Sequence, residues 1–192
     1  HGNSSCRVDT LRTQVLETVA AQGCSLAAFD FAGSGQSDGE NVTLGWYEQH
    51  DVTAVVRHLM ERRGVVKVAL WGRSMGAVAA LLHCQNEDDQ ADRAVQRATC
   101  ALVLDSPFCR MSTLVDDLLD RGSIWVPRFA VKGLLSLLRT TLKKRCDGAE
   151  VLSVDALANA SACRVPAIFL SAQNDEMVGR NHSDALVGAH GG

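Results

Sequence analysis

Residues 65–84, VVKVALWGRSMGAVAALLHC, constrain the fold more than any other part of the chain. A β-type run, VVKVALW, enters a Gly-x-Ser-x-Gly turn at 72–76 with no linker residues. The turn then opens into a stretch over 75–84 that is apolar on every side. A helix without a polar face has to be buried. The spacing therefore predicts a strand, a tight turn and a buried helix in direct succession, which is one step of a layered α/β structure.

Other segments repeat the alternation. Val8, Leu11, Val15, Leu16 and Val19 recur at helical spacing, and CSLAAF at 24–29 reads as a buried strand ending in Asp30 and a Gly-rich turn. Val52, Val55, Val56, Leu59 and Met60 form an amphipathic helical stripe closed by Gly64. ALVLD at 101–105 and AIFLSA at 167–172 are two further apolar strands. Strands alternating with helices predict a mostly parallel sheet with helices on both faces. The 192 residues fit a single domain.

Between ALVLD and AIFLSA the rhythm breaks. Residues 109–163 read as a helical insertion within the domain, placed where a lid over the sheet would sit. Val131, Leu134, Leu135, Leu138 and Leu142 form one stripe, with Arg139, Lys143, Lys144 and Arg145 near its end. Cations at a helix C-terminus are favoured by the helix dipole; a patch facing an anionic membrane is the sharper alternative.

Composition narrows the function classes. An apolar content of 46% suits a packed core, and a net charge of −3 gives no general attraction to nucleic acid. No apolar run reaches the roughly 20 residues of a membrane span. The seven Cys (6, 24, 84, 100, 109, 146, 163) are odd in number and include no CxxC pair, which points away from a disulfide framework or a zinc site. Free thiols in a cytoplasmic setting are the expectation. The N-x-[ST] triplets at Asn3, Asn41, Asn159 and Asn181 are treated as chance in the absence of a secretory signal.

The chemistry concentrates around Ser74. A strand-to-helix turn this tight needs glycine at 72 and 76 and lifts the Ser74 hydroxyl clear of the sheet. It also sets the N–H of Met75 at a helix N-terminus, where a developing oxyanion can be held. HGN at 1–3 suggests a second backbone donor near Asn3. Two carboxylates follow strands and could orient a histidine: Asp175 in SAQNDEMV and Asp105 in LVLDSPF. Asp30 is expected to fix a loop, and His58 and His83 to be packing residues.

HGN, FDFAGSGQSDGE, LGWYEQHD, LWGRSMGA, LDSPF and QNDEMV…HSDAL, in this order and spacing, resemble the α/β-hydrolase superfamily over essentially the whole chain. The branch they look like contains S9- or S33-like serine peptidases and esterases related to depalmitoylating hydrolases. The resemblance implies an α/β-hydrolase fold, Ser74 as nucleophile, Asp175 as triad acid, Asn3 and Met75 as oxyanion donors, and no cofactor or metal. It implies a small-molecule acyl ester, thioester or peptide as substrate. The triad histidine of such proteins follows the acid after one more strand. His182 and His190 come too soon for that, so the sequence is expected to be a fragment, incomplete at both ends and inactive as it stands. A non-catalytic binding protein lacking the histidine is the alternative from another class.

Overall fold

A computed structural model describes residues 1–85, 90–121 and 128–192, without the side chains of 90, 91, 128–132 and 134. The elements in chain order are α1 (Arg7–Leu11), α2 (Val15–Ala21), α3 (Glu48–Arg63), β1 (Val68–Arg73), α4 (Met75–His83), α5 (Gln90–Ala98), β2 (Thr99–Asp105), α6 (Met111–Asp120), α7 (Arg128–Arg145), a 3₁₀ turn (Val151–Ser153), α8 (Ala156–Ala160), β3 (Ala167–Leu170) and α9 (Arg180–Ala189). The three strands form a parallel sheet in the order β1–β2–β3. Trp71, Val103 and Ile168 are register partners, as are Arg73, Asp105 and Leu170.

The helix that follows the Gly-x-Ser-x-Gly turn is the centre of the molecule. All nine residues of α4 are buried, as an all-apolar helix requires. One flank packs with Leu102, Leu104, Phe108, Ala156 and Leu186. The other packs with Phe31, Val52, Val56 and Ala98. The buried polar groups on this helix are matched. His83, with no exposed surface, lies 2.7 Å from Thr53 Oγ1 and 3.3 Å from Thr99 Oγ1, tying α4 to α3 and β2. Burial lowers its pKa from 6.5 to about 4.

α3 owes its start to a buried carboxylate. Glu48 accepts from the Thr43 N–H (2.7 Å), the Thr43 hydroxyl (2.7 Å) and the Gly45 N–H (2.8 Å). Thr43 Oγ1 in turn accepts from the Tyr47 N–H at 2.8 Å. At the other end Gly64 adopts the left-handed conformation that stops the helix, φ 64°.

The structure corrects the sequence reading in several places. Residues 24–29 join no ladder among the described residues, and Cys24, Ser25 and Ala27 are exposed. A strand needs a neighbour to take its backbone bonds, and β1 pairs only with β2. The helix expected over 8–19 is broken into α1 and α2. Thr13 Oγ1 donates to the Thr10 carbonyl and accepts from the Val15 N–H, so a side chain takes over backbone partners at the break. Val8, Leu11 and Leu16 are exposed. His58 is exposed on α3 and packs in no core.

Within 109–163 the described residues include α6, α7, the 3₁₀ turn and α8. Residues 122–127 and the side chains of Val131 and Leu134 lie outside the described residues. Among the described residues, cover on the second face of the sheet is incomplete: Trp71 (46%), Ile168 (61%) and Leu170 (41%) are exposed there. All seven cysteines are free.

Candidate active site

Parallel strands bring their carboxyl ends to one edge, where sites of open α/β sheets form. Ser74 leaves β1 there, Asp105 ends β2, and Asp175 lies in the turn after β3. The three residues come from chain segments far apart in sequence, and the sheet order makes their strands neighbours.

Ser74 has φ 51° and ψ −116°. A residue with a Cβ rarely occupies that region, and doing so costs about 1–3 kcal/mol. The surrounding structure imposes it. The Ser74 N–H donates to the Asp105 carbonyl at 2.7 Å, while its carbonyl accepts from the N–H groups of Ala77 (3.0 Å) and Val78 (3.1 Å). The two glycines are required by contact. A Cβ on Gly72 would overlap the Gly76 carbonyl and lie 2.5 Å from Ala77 N. A Cβ on Gly76 would lie 2.6 Å from the His1 carbonyl oxygen.

The His1–Gly2 segment therefore packs directly on the elbow, and a Cβ on Gly2 would sit 3.5 Å from Ser74 Cβ. His1 is anchored from both nitrogens: Nε2 accepts from the Phe31 N–H at 3.0 Å, and Nδ1 donates to the Gly2 carbonyl at 2.9 Å. Asn3 follows in an exposed turn, where its Oδ1 accepts from the Ser4 N–H at 3.0 Å. The Met75 side chain is wholly buried beside Phe31 and Val52, so its main chain is fixed where α4 begins. The first N–H groups of a helix have no partner within it and point outward from its end.

The two candidate acids differ in how they are used. Asp175 Oδ1 accepts from the N–H groups of Met177 and Val178, each at 2.9 Å, which folds the turn around the carboxylate. Arg121, just after α6, donates to the carbonyls of Asp175 and Glu176, each at 3.3 Å. This ties the end of α6 to the Asp175 turn. Asp105 gives its carbonyl to Ser74, and its carboxylate accepts from Ser106 Oγ at 3.1 Å and lies 3.9 Å from Arg73 Nε. Asp30 fixes a loop, as expected: it accepts from the N–H groups of Arg7 and Gln36 and pairs with the Arg7 guanidinium. Burial raises its carboxyl pKa, but these N–H groups and the Arg7 charge outweigh that and hold it below the usual range.

The histidines are committed elsewhere. His83 is held by Thr53 and Thr99, and His1 by Phe31 and Gly2. His182, wholly buried in α9, accepts at Nδ1 from the Cys109 N–H (3.2 Å), and its Nε2 lies 3.3 Å from Asp117 Oδ2. Burial lowers its pKa against the pull of Asp117. His190 ends α9, accepts from the Gly192 N–H at 3.2 Å and packs edge-on to Phe169. His50 and His58 are exposed on α3. Sequence reasoning does not find Arg121 or the Cys109–His182–Asp117 contact; each joins residues more than 50 positions apart, and no local pattern marks them.

Comparison with known proteins agrees with this fold. The sequence model of the serine aminopeptidase S33 family matches residues 10–151. An esterase of Pyrococcus furiosus is similar in structure, with TM-score 0.67 and 21% identity, over 97% of this chain and 64% of the esterase. A monoacylglycerol lipase of Paleococcus ferrophilus has TM-score 0.64 and 17% identity, over 94% of this chain and 75% of the lipase. A lipase-esterase related protein of Clostridium acetobutylicum has TM-score 0.58 and 13% identity, over 91% and 74%. The chain thus spans about two thirds of the length of the esterase it matches. The family match extends over most of the chain and ends past the elbow, and the folds agree: this chain belongs to the serine aminopeptidase S33 family of hydrolases and has the α/β-hydrolase fold.

Proposed function

We propose that the protein is a serine hydrolase that works through an acyl-enzyme on Ser74. The observation that carries this is the conformation of Ser74. A serine held at φ 51° between two glycines that admit no side chain is costly, and such strain concentrates where a side chain must be presented for chemistry. In this reading the Ser74 oxygen attacks an ester, thioester or amide carbonyl. The N–H groups of Met75 and Asn3 hold the oxyanion. Asp175 orients a histidine that takes the Ser74 proton and returns it to the leaving group. Water then releases the acid and restores the serine. Asp175 is favoured over Asp105 because its Oδ2 takes no part in the turn that Oδ1 folds, whereas the Asp105 carboxylate faces Arg73.

The insertion over 109–163 is proposed as a lid over an acyl or other apolar substrate, joined to the acid turn through Arg121. An amide substrate is the second reading, since the matching family is one of aminopeptidases. Rates on p-nitrophenyl esters of increasing chain length, against aminoacyl p-nitroanilides, separate the two. In a form of the protein whose histidine reaches Ser74, the proposal expects hydrolysis of the esters, faster for longer acyl chains, and none in Ser74→Ala. Equal rates for short and long chains contradict the apolar lid. Turnover of anilides alone makes the protein a peptidase. Turnover that survives Ser74→Ala overturns the mechanism.

A further inference from the structure

Among the described residues, the longest helix within 109–163 has a face that nothing in the fold uses. α7 (Arg128–Arg145) contains six Arg and Lys and no acidic residue among its 18 positions. The whole chain carries −3, so the rest of the molecule carries −9 against +6 on this one helix. Of the side chains described, only Leu135 and Leu142 are half-buried. Leu142 packs against the buried Cys146, Ala149 and Val151, which defines the inner side. Arg139 and Lys143 are spent on Glu150, at 3.1 and 2.6 Å.

The outer side, which begins at Leu138 one turn before Leu142 and runs about 100° round the helix to Leu137, is different. Leu137 is 65% exposed and Leu138 40%. Seven residues are close to two turns, so Lys144 lies on the same line as Leu137, and Arg145 on the same line as Leu138. Among the described residues, neither of these two cations forms an ion pair. Among the described residues, one face thus presents two exposed leucines and, beyond them, two cations without an ion pair.

From this we infer that the outer face of α7, through Leu137, Leu138, Lys144 and Arg145, docks on an anionic lipid surface. The chemistry fits that partner on both counts. Leucines exposed on an amphipathic helix gain by entering the boundary between headgroups and acyl chains, and cations beside them are attracted to acidic headgroups. The uneven charge does the orienting. A negative surface repels the body of the molecule and attracts this helix, so the protein approaches with α7 foremost. The inference is independent of whether Ser74 is a nucleophile.

The test is co-sedimentation of the full chain with vesicles of phosphatidylcholine alone, or with about 30% phosphatidylserine. Binding to the acidic vesicles, weak binding to the neutral ones and release by added salt are expected. Lys144→Gln and Arg145→Gln should each weaken binding about fivefold. Leu137→Asp with Leu138→Asp should abolish it while circular dichroism stays unchanged, because all four side chains are on the surface. Arg62→Gln with Arg63→Gln, exposed cations at the end of α3, should leave it intact. Failure to bind acidic vesicles overturns the inference, as does equal binding to both vesicles. So does an equal loss in the α3 variant, or capture by a soluble polyanion such as heparin without vesicle binding.

Discussion

Three glycine-to-alanine substitutions should differ in sign and size for reasons visible at each site. At Gly72 the added methyl meets the main chain of Gly76 and Ala77, 2.5 Å from Ala77 N. Neither can withdraw, since both belong to the buried helix α4 and Ala77 N already bonds Ser74 at 3.0 Å. Overpacking costs about 1–3 kcal/mol, and two immovable backbone neighbours put this site at the top of that range. For a protein of this size about 3 kcal/mol is roughly 6–12 °C in Tm. At Gly76 the methyl meets the His1 main chain, 2.6 Å from its carbonyl oxygen and 3.2 Å from its nitrogen, but alanine also suits the helix better than glycine. A smaller loss is expected. At Gly133, inside α7, nothing lies within 4 Å. Alanine there gains helix propensity of about 1 kcal/mol, a rise of about 2–4 °C. Thermal unfolding followed by circular dichroism at 222 nm measures all three. The same Tm for Gly72→Ala and wild type would refute the reasoning, and so would a drop at Gly133→Ala.

Ser74→Gly should raise stability by about 1 kcal/mol while removing the hydroxyl, because glycine occupies φ 51° without the steric cost that serine bears; chemical denaturation of Ser74→Gly beside Ser74→Ala shows whether the gain belongs to the backbone. Glu48→Ala strips the buried N–H groups of Thr43 and Gly45 of their acceptor and should cost about 1–3 kcal/mol for each left unpaired, read from the urea midpoint. His83 gives a pH signature. Its folded pKa of about 4 lies below the 6.5 of the unfolded chain, so the unfolded state takes up the proton first. Its contribution is fully present above pH 6.5 and is lost as pH falls toward 4, by about 3 kcal/mol in all. His83→Gln should flatten that part of the stability–pH curve, and an unchanged slope would mean that the ring binds its proton equally in the folded and unfolded chains.

The sequence is most legible where local chemistry and global packing ask for the same thing. Gly72, Ser74 and Gly76 can be read as an elbow because the turn's steric needs lie within five residues, and α4 can be read as buried because it has no polar side. The strands at 101–105 and 167–170 are apolar and are bracketed by helices, and both form. The first strand forms three residues later than its apolar run, at Val68, because Gly64 and the Val65 N–H are taken up in ending α3. Residues 24–29 have strand composition, yet a strand is a relation between two segments and composition describes only one. The break between α1 and α2 depends on a single threonine hydroxyl that hydropathy does not register. At the candidate site, the placing of Ser74 and Asp175 after strands is legible in the sequence. The support behind them is not: Asp105 contributes its carbonyl, which any residue carries, and Arg121 reaches the acid turn from 54 positions away.

The central claim is that Ser74 is a nucleophile held ready by the elbow. Labelling of the chain with a fluorophosphonate probe tests it most directly, with Ser74→Ala as the blank and circular dichroism to confirm folding. Covalent labelling of the wild type at Ser74, absent in the variant, is the predicted result. A folded wild type that hydrolyses the esters yet stays unlabelled at Ser74 would contradict the claim.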